Sequence, residues 1–380
     1  MSVNTNSILF VVNTTSFFLS HRLPLAVAAK DAGFKVHIAT SDSFASPLIK
    51  AEGFTHHTID LKRSGTNIIS DFATFISLVK LFRSVNPSLV HLVTIKPVIY
   101  GCIAARILRI KSVVAAISGL GTVFIDNSFR GLLRRLLVLK LYKSAFKHPN
   151  LAVIFQNKED RDLFLGKNLI DSKSCHLIRG SGVQISDYPY LPEPDNVPVV
   201  VMASRLLIDK GVIEFVESAK ILKLEGEDII FRLIGDSDPD NKTGVSENFL
   251  NQCHSEGFVE LLGYREDISE QYARANLVCL PSYREGLPKS LIEAAACGRA
   301  VVTTDVAGCR DAIIPNITGL LCPAKDPKKL AIAIKKLILD PNRRQEMGRA
   351  GRKLAEVEFA IEHIVRQHLN IYIKLTKPNL

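Results

Sequence analysis

The sequence has no run of about 18 apolar residues, the length that a bilayer-crossing helix needs, so no transmembrane segment is expected in its 380 residues. No signal peptide is expected either. The apolar stretches 8–12 and 17–19 follow no basic segment and are separated by Asn13-Thr14-Thr15-Ser16, which reads as a first strand and its loop. The 7 cysteines (102, 175, 253, 279, 297, 309, 322) are odd in number and free of CxxC spacing. That excludes a disulfide framework and a zinc site, and suits small buried hydrophobes in a reducing compartment. No nucleic-acid-binding module is present, and no aromatic residues interleave with basic ones, so nucleic acid is not an expected partner. Gly119-x-Gly121 lacks the third glycine of a dinucleotide fingerprint, with no acid about 20 residues further on.

What is present is an ordinary globular balance with an uneven charge. Apolar residues make up 47% and charged residues 23% of the chain, and its length predicts two domains, each with its own core. The net charge of +10 resides in the first half: residues 1–190 hold 23 Lys/Arg against 11 Asp/Glu, the remainder 25 against 27. A basic first half implies an anionic partner there, and with nucleic acid set aside this is anionic lipid or a lipid diphosphate.

The first half alternates strands at 8–12, 35–40, 57–59, 89–94, 111–117 and 151–155 with helical patterns at 23–32, 46–51, 70–82, 98–108 and 130–146. Residues 174–178 add a last strand, and such alternation predicts a doubly wound parallel sheet. The loops after these strands carry Arg22, Arg63, Lys96 and the Ser118-Gly119-Leu120-Gly121 turn. If they share one rim, Arg22, Arg63 and Lys96 are placed to hold a diphosphate; otherwise they are plain surface charges. His56-His57 alternates within a strand and reads as structural rather than as a metal pair.

The stretch 129–147 has two readings. Arg130 and Arg134 oppose Phe129, Leu132, Leu133, Leu136 and Leu137 on a helical wheel, with Arg135 beside them, whereas Lys140, Lys143 and Lys147 rotate onto the leucine face. One straight helix lying in a membrane is therefore not expected. The readings are a bent pair with leucines inserted and cations at headgroups, or a sheet-covering helix with a solvated basic edge.

Residues 189–198 contain four prolines (189, 192, 194, 198) and read as a linker between a domain at 1–188 and a second at 199–359. The second half restarts with a strand at 199–202, followed by Arg205 and Lys210 and a helix to 224. A strand at 231–234 ends in Asp236-Ser237-Asp238, which reads as a turn rather than a metal site because Pro239-Asp240-Asn241 follows. Strand 259–262 leads to Gly263, and helices start at Asp326 and Pro341. The tail 361–375 keeps a helical apolar stripe.

The most informative stretch is 279–309, CLPSYREGLPKSLIEAAACGRAVVTTDVAGC preceded by an apolar strand at 277–280. Pro281-Ser282 stops the strand, the loop Tyr283-Arg284-Glu285-Gly286 follows, and Pro288 opens a helix at its first position. The helix ends at Gly298, and a strand resumes at 300–304. Glu285 sits in the loop and Glu293 about 8 Å along the helix axis from its start. Between them the helix N-terminus suits a phosphate, and flanking carboxylates suit the hydroxyls of a sugar nucleotide.

Glu285-x7-Glu293, with Pro281-Ser282 before it and Gly286 after its first acid, resembles the EX7E region of the family 4 glycosyltransferases. Within that family it is similar to the bacterial branch that adds N-acetylhexosamines to undecaprenyl-diphosphate sugars. The resemblance implies an α/β GT-B fold: two Rossmann-like, doubly wound parallel-sheet domains facing a central cleft, with the last helix, 360–380, crossing back onto the first. It implies retaining transfer from a UDP-sugar, bound in the C-terminal domain, to a lipid-linked saccharide bound in the N-terminal one, in surface-polysaccharide or glycan assembly. Arg205 and Lys210 would neutralise the departing diphosphate and Glu285 orient the sugar. Glu293 would hold the ribose, Gly286, Leu287, Pro288 and Lys289 the phosphates, and Leu262-Gly263 the nucleobase. Arg22, Arg63, Lys96, Gly119 and Gly121 would serve the acceptor. Arg130, Arg134, Arg135, Lys140, Lys143 and Lys147 would face an anionic membrane at the cytoplasmic leaflet. No metal and no other cofactor is implied. The family commonly carries a His after the fifth N-domain strand, where this chain has Ser118-Gly119, so no protein base is named; a donor phosphate oxygen would take the acceptor proton. Two alternatives share the architecture. Nucleotide-sugar epimerisation leaves the basic first half unexplained, and an inactive donor-binding scaffold sits poorly with intact Arg205, Lys210, Glu285 and Glu293.

Overall fold

The computed structural model describes residues 6–42, 47–61, 68–126, 128–238, 241 and 243–377. The chain forms two units, Met1–Ser181 with Ile364–Leu380, and Gly182–His363.

In the first unit β1 (Ser7–Val11), β2 (Lys35–Thr40), β3 (Thr55–Thr58), β4 (Leu89–Val93), β5 (Ser112–Ile117), β6 (Leu151–Phe155) and β7 (Cys175–Leu177) are the strands among the described residues. They form one parallel sheet in the order β3-β2-β1-β4-β5-β6-β7. Parallel strands are covered on both faces and so read as continuous apolar runs, and β4, β5 and β6 are buried along their whole length. Alternate residues feed two cores. Leu9 and Val11 join one with Leu92 and Leu139. Ile8 and Phe10 join the other, together with Ile364, Ile371 and Tyr372 of the C-terminal helix Ile361–Thr376. Ser112 Oγ and Asn150 Nδ2 tie down the end of that helix by donating to the Leu375 carbonyl at 2.9 and 3.0 Å.

In the second unit β8 (Val199–Ala203), β9 (Ile230–Ile234), β10 (Glu260–Gly263), β11 (Leu277–Leu280), β12 (Ala300–Thr304) and β13 (Gly319–Cys322) form a parallel sheet among the described residues. Its order is β10-β9-β8-β11-β12-β13. The four-residue β13 pairs with β12 and is a strand that the sequence reading does not include.

The proline-rich segment 189–198 lies within the second unit, since the units divide at 181/182 and 363/364. Buried Arg299 donates to the carbonyls of Leu191 and Tyr272, both at 3.0 Å, and Arg344 forms a buried ion pair with Glu193 at 2.7 Å. These bonds hold the segment on the second unit. The stretch after β1 is not all loop: Thr15–His21 is helical, with the Thr14 side chain accepting from Phe17 N as N-cap. Finally, 129–147 is not a bent pair. Ser128 caps one helix, Phe129–Ala145, that buries Gly131, Leu139, Tyr142 and Ala145.

Candidate active site

β8 and β11 are neighbours at the point where the strand order of the second sheet reverses, and open α/β sheets bind ligands beyond the carboxyl ends of strands at that point. The loops after β8 and β11 meet because Gly211 (φ +79°) carries no side chain; a Cβ there would stand 2.1 Å from the Pro281 carbonyl oxygen. Across this approach Asp209 O accepts from Tyr283 N at 2.9 Å and from Ser282 Oγ at 3.0 Å. Lys210 Nζ is thereby set 2.5 Å from Glu285 Oε1, which also accepts from Ser282 Oγ at 2.8 Å. The Glu285 side chain is only 11% exposed, so these charge-assisted bonds hold it firmly. On its other side Glu285 N donates to Ala307 O at 3.1 Å. Gly308 (φ +79°) permits that contact, since a Cβ there would lie 2.5 Å from the Glu285 carbonyl oxygen.

The loop after β9 is laced onto the loop after β8. Leu206 N donates to Asp236 O at 2.9 Å, Ile208 N to Thr243 O at 2.7 Å, and Thr243 Oγ1 to Asp209 Oδ1 at 2.7 Å. Asp236-x-Asp238 is part of this lacing. Asp236 Oδ1 accepts from Tyr264 N at 3.1 Å, and Asp238 Oδ2 lies 2.7 Å from Arg205 Nη1. Among the described residues no group of three or more His, Cys, Asp or Glu is arranged to hold a metal ion.

Pro288 is extended (φ −71°, ψ 123°) and is the N-cap of the helix Lys289–Ala296 rather than its first residue, with no side-chain capping bond. Leu291 N donates to Pro288 O at 3.2 Å, and the two amides before it, at the positive end of the helix, have the place that suits an anion. Glu293 is two-thirds of the way along this short helix. Its Oε1 accepts from Tyr188 OH at 2.6 Å and lies 3.3 Å from Lys289 Nζ. Burial and the neighbouring carboxylate push the Tyr188 phenol well above its ordinary range, so it remains a donor. Gly286, Leu287 and Pro288 are buried, and Leu262 is half-buried on edge strand β10. The carbonyl of Gly263 accepts from Gly235 N at 2.8 Å. Two contributors escape the sequence reading: Tyr188, which sits just before the prolines, and Glu214, whose Oε1 takes the Tyr283 hydroxyl at 2.6 Å.

The first-unit candidates divide. Arg63 lies outside the described residues. Lys96 is at the start of the helix Ile95–Ile107 and pairs with Asp71 at 2.8 Å. The preceding Thr94 has φ +74°, an unusual backbone for a β-branched residue and a strain of roughly 1–3 kcal/mol, and its hydroxyl donates to Asn13 Oδ1 at 2.8 Å. Gly119 and Gly121 both have positive φ. Arg22 lies beside the carboxyl end of β5 but is only 2% exposed, donating to His21 O at 2.9 Å and Ser118 Oγ at 3.3 Å. Burial lowers its pKa to about 10, and its surroundings include His91, His368 and Tyr372. The sequence marks Arg22 as a loop cation; in the structure it is buried between the helices Thr15–His21 and Leu23–Asp31.

On the helix Phe129–Ala145, Phe129, Leu132, Leu133, Leu136 and Leu137 all stand exposed, as do Arg130, Lys140, Lys143 and nearby Lys147. A solvated basic edge does not account for this apolar ridge. Arg134 and Arg135 have other work: Arg134 pairs with Asp126 at 2.7 Å, and Arg135 donates to Phe124 O at 3.0 Å while lying over the Phe124 ring. Among the described residues no helix is long and apolar enough to cross a membrane.

Residues 188–354 match the model for glycosyl transferases group 1, and residues 7–157 the model for glycosyl transferase 4-like domains. An N,N'-diacetylbacillosaminyl-diphospho-undecaprenol alpha-1,3-N-acetylgalactosaminyltransferase of Campylobacter jejuni is 30% identical across 95% of this chain and 98% of its own. A UDP-Gal:alpha-D-GlcNAc-diphosphoundecaprenol alpha-1,3-galactosyltransferase of Escherichia coli is 25% identical over 68% of each chain. A sucrose-phosphate synthase structure from Thermosynechococcus elongatus superposes with a TM-score of 0.78 at 21% identity, covering 97% of this chain and 99% of its own.

Proposed function

The chain belongs to the family 4-like glycosyltransferases of the GT-B fold, and from that premise we propose that it transfers a sugar with retention from a UDP-sugar to an undecaprenyl-diphosphate-linked saccharide. The first choice of donor is a UDP-N-acetylhexosamine. The observation that carries the reading is the interlocked edge of the second sheet, where Lys210, Glu285, Arg205 and an uncapped helix N-terminus are held by three adjoining loops. Two further facts support the choice of substrates: the names of the Campylobacter jejuni and Escherichia coli relatives, and the basic first half of the chain.

In this reading Arg205, Lys210 and the amides after Pro288 stabilise the charge that develops on the departing diphosphate, where fixed charges and dipoles are most effective. Glu285, restrained by Lys210, Ser282 and its own backbone, orients the transferred sugar. Glu293 keeps one oxygen on Tyr188 and offers the other to the ribose hydroxyls. The acceptor proton passes to a donor phosphate oxygen. Lys96 and the Gly119–Gly121 turn serve the acceptor, and Arg22 acts indirectly by holding Ser118. The leucine ridge of Phe129–Ala145 and its flanking cations dock the first unit on an anionic membrane, with acyl chains covering the leucines and lipid phosphates meeting Arg130, Lys140, Lys143 and Lys147.

The test is incubation of the purified protein with a panel of radiolabelled UDP- and GDP-sugars and an undecaprenyl-diphosphate-sugar extract. Label should move to the lipid fraction from a UDP-N-acetylhexosamine. Transfer from GDP-sugars alone, or no lipid-bound label from any donor, overturns the proposal.

A further inference from the structure

Each cation of the proposed leaving-group site is already paired within the protein: Arg205 with Asp238, Lys210 with Glu285, and Lys289 with Glu293. A cation whose charge is shared with a carboxylate gives a diphosphate less than one whose pair has opened, so donor binding favours the opening of the weakest pair. The three pairs are unequal. Glu285 is held by Ser282 as well as Lys210, and its backbone is fixed on both sides. Glu293 is held by Tyr188 as well as Lys289. Arg205, by contrast, is 48% exposed, and exposed ion pairs hold their geometry weakly. Its partner is the anchored member: the Asp238 side chain is 15% exposed and sits on a loop laced to the loop that carries Arg205.

We propose that Asp238 is a counter-ion latch for Arg205, a role that rests on the assignment of Arg205 to the donor diphosphate. The carboxylate holds the guanidinium beside the site, yields it when a nucleoside diphosphate arrives, and reclaims it when the nucleoside diphosphate product leaves. Asp238 thereby limits donor affinity and favours product release. It is a positioning residue that acts through Arg205 and touches no reacting atom.

The experiment is calorimetric titration with UDP alone, together with steady-state donor kinetics, on the full chain and four variants: Asp238→Asn, Asp238→Glu, Arg205→Ala and the Asp238→Asn/Arg205→Ala double. Removing the competing charge should tighten UDP binding about fivefold in Asp238→Asn, the scale of one exposed pair. Donor KM should fall in parallel without a gain in kcat. Asp238→Glu keeps the charge and should stay near the parent. Arg205→Ala should weaken UDP binding, and the gain from Asp238→Asn should vanish in the double variant. If Arg205→Ala leaves UDP affinity unchanged, the diphosphate assignment fails and the latch fails with it. If Arg205→Ala weakens binding while Asp238→Asn binds UDP no tighter, the latch alone is overturned. A loss of UDP affinity in Asp238→Asn that EDTA reproduces in the parent also overturns it, by making Asp238 a metal ligand.

Discussion

Tyr188 and Glu293, separated by 105 residues, are joined by a hydroxyl-to-carboxylate hydrogen bond of 2.6 Å. The tyrosine lies at the start of the second unit, and its carbonyl is itself held by Arg352 Nη1 at 2.9 Å. Glu293, the second acid of the EX7E stretch, is therefore oriented from outside its own helix. A carboxylate restrained at one oxygen presents the other in a defined direction.

Tyr188→Phe removes that restraint with almost no change in volume. A hydrogen bond to a charged group is worth about 1.5–3 kcal/mol in stability, but ribose binding is nearly equal in ground and transition states. The donor KM should therefore rise about tenfold, the lower end of that range, with kcat little changed. Steady-state donor kinetics checks this; a fall in kcat at constant KM would assign Tyr188 to the chemical step instead.

Arg205→Ala and Glu293→Ala should separate along the same axis. Loss of one preorganised charge partner of the leaving group should lower kcat by about 100-fold or more. Glu293→Ala should act mainly on donor KM. Near-normal turnover in Arg205→Ala removes Arg205 from the leaving-group site.

Membrane docking predicts two sensitivities at once. Each Lys or Arg near an anionic surface contributes about 1 kcal/mol, and that attraction is screened beyond about 8 Å at physiological ionic strength. Co-sedimentation with anionic vesicles should weaken as salt rises. Leu133→Asp/Leu137→Asp, at two exposed positions, should abolish it without lowering the melting temperature. Equal binding to neutral and anionic vesicles, or none to either, defeats the docking proposal.

Transfer should persist in excess EDTA. The diphosphate's charge can be met by Arg205, Lys210, Lys289 and the helix N-terminus, while Asp236 is engaged with Tyr264 N and Asp238 comes free only when Arg205 turns to the diphosphate. Two carboxylates without further ligands hold a hard cation weakly. Abolition of activity by EDTA and its restoration by Mn²⁺ would make those two aspartates the leading ligands.

The cluster beneath the C-terminal helix should make the protein acid-labile. Burial, with Arg22 nearby, lowers the pKa of His368 to about 3, and burial, Arg22 and His368 hold His91 well below its usual value. An unfolded histidine titrates near 6.5, so below that pH the unfolded chain binds protons that the native protein refuses, and stability falls as pH drops. Thermal melts between pH 8 and pH 5 should show Tm falling below about pH 6.5. His368→Gln should flatten the slope; an unchanged slope would place the acid lability elsewhere.

Much of the fold is legible in the chain because strands buried on both faces must be continuous apolar runs, and Val90, Val114 and Val201 lie in such runs. β13 is not legible because Gly319–Cys322 is short and follows a turn signal. Nor is the helix Thr15–His21, because Asn13-Thr14-Thr15-Ser16 reads as loop until Thr14 is seen to cap Phe17. In the site, the spacing of Glu285 and Glu293 and the cations Arg205 and Lys210 are visible directly. The partners Tyr188 and Glu214 are not, since nothing in their local pattern distinguishes them; Asp238 is visible as part of an Asp-x-Asp turn, but its pairing with Arg205 is not.

The alternation of elements, the two-domain length, the charge asymmetry and the EX7E stretch can be read along the chain, since each is set by local periodicity, composition or spacing. Where the charges stand is set by packing. Arg22 becomes a buried anchor near His91 and Tyr372, which bond each other across 281 residues. Arg134 and Arg135 turn back to the 124–126 segment while their leucine neighbours remain bare. Arg205 is handed to Asp238 because two loops are laced side by side. Burial and ion pairing depend on which distant segments meet, and that information is carried by the packing of the whole chain rather than by any window along it.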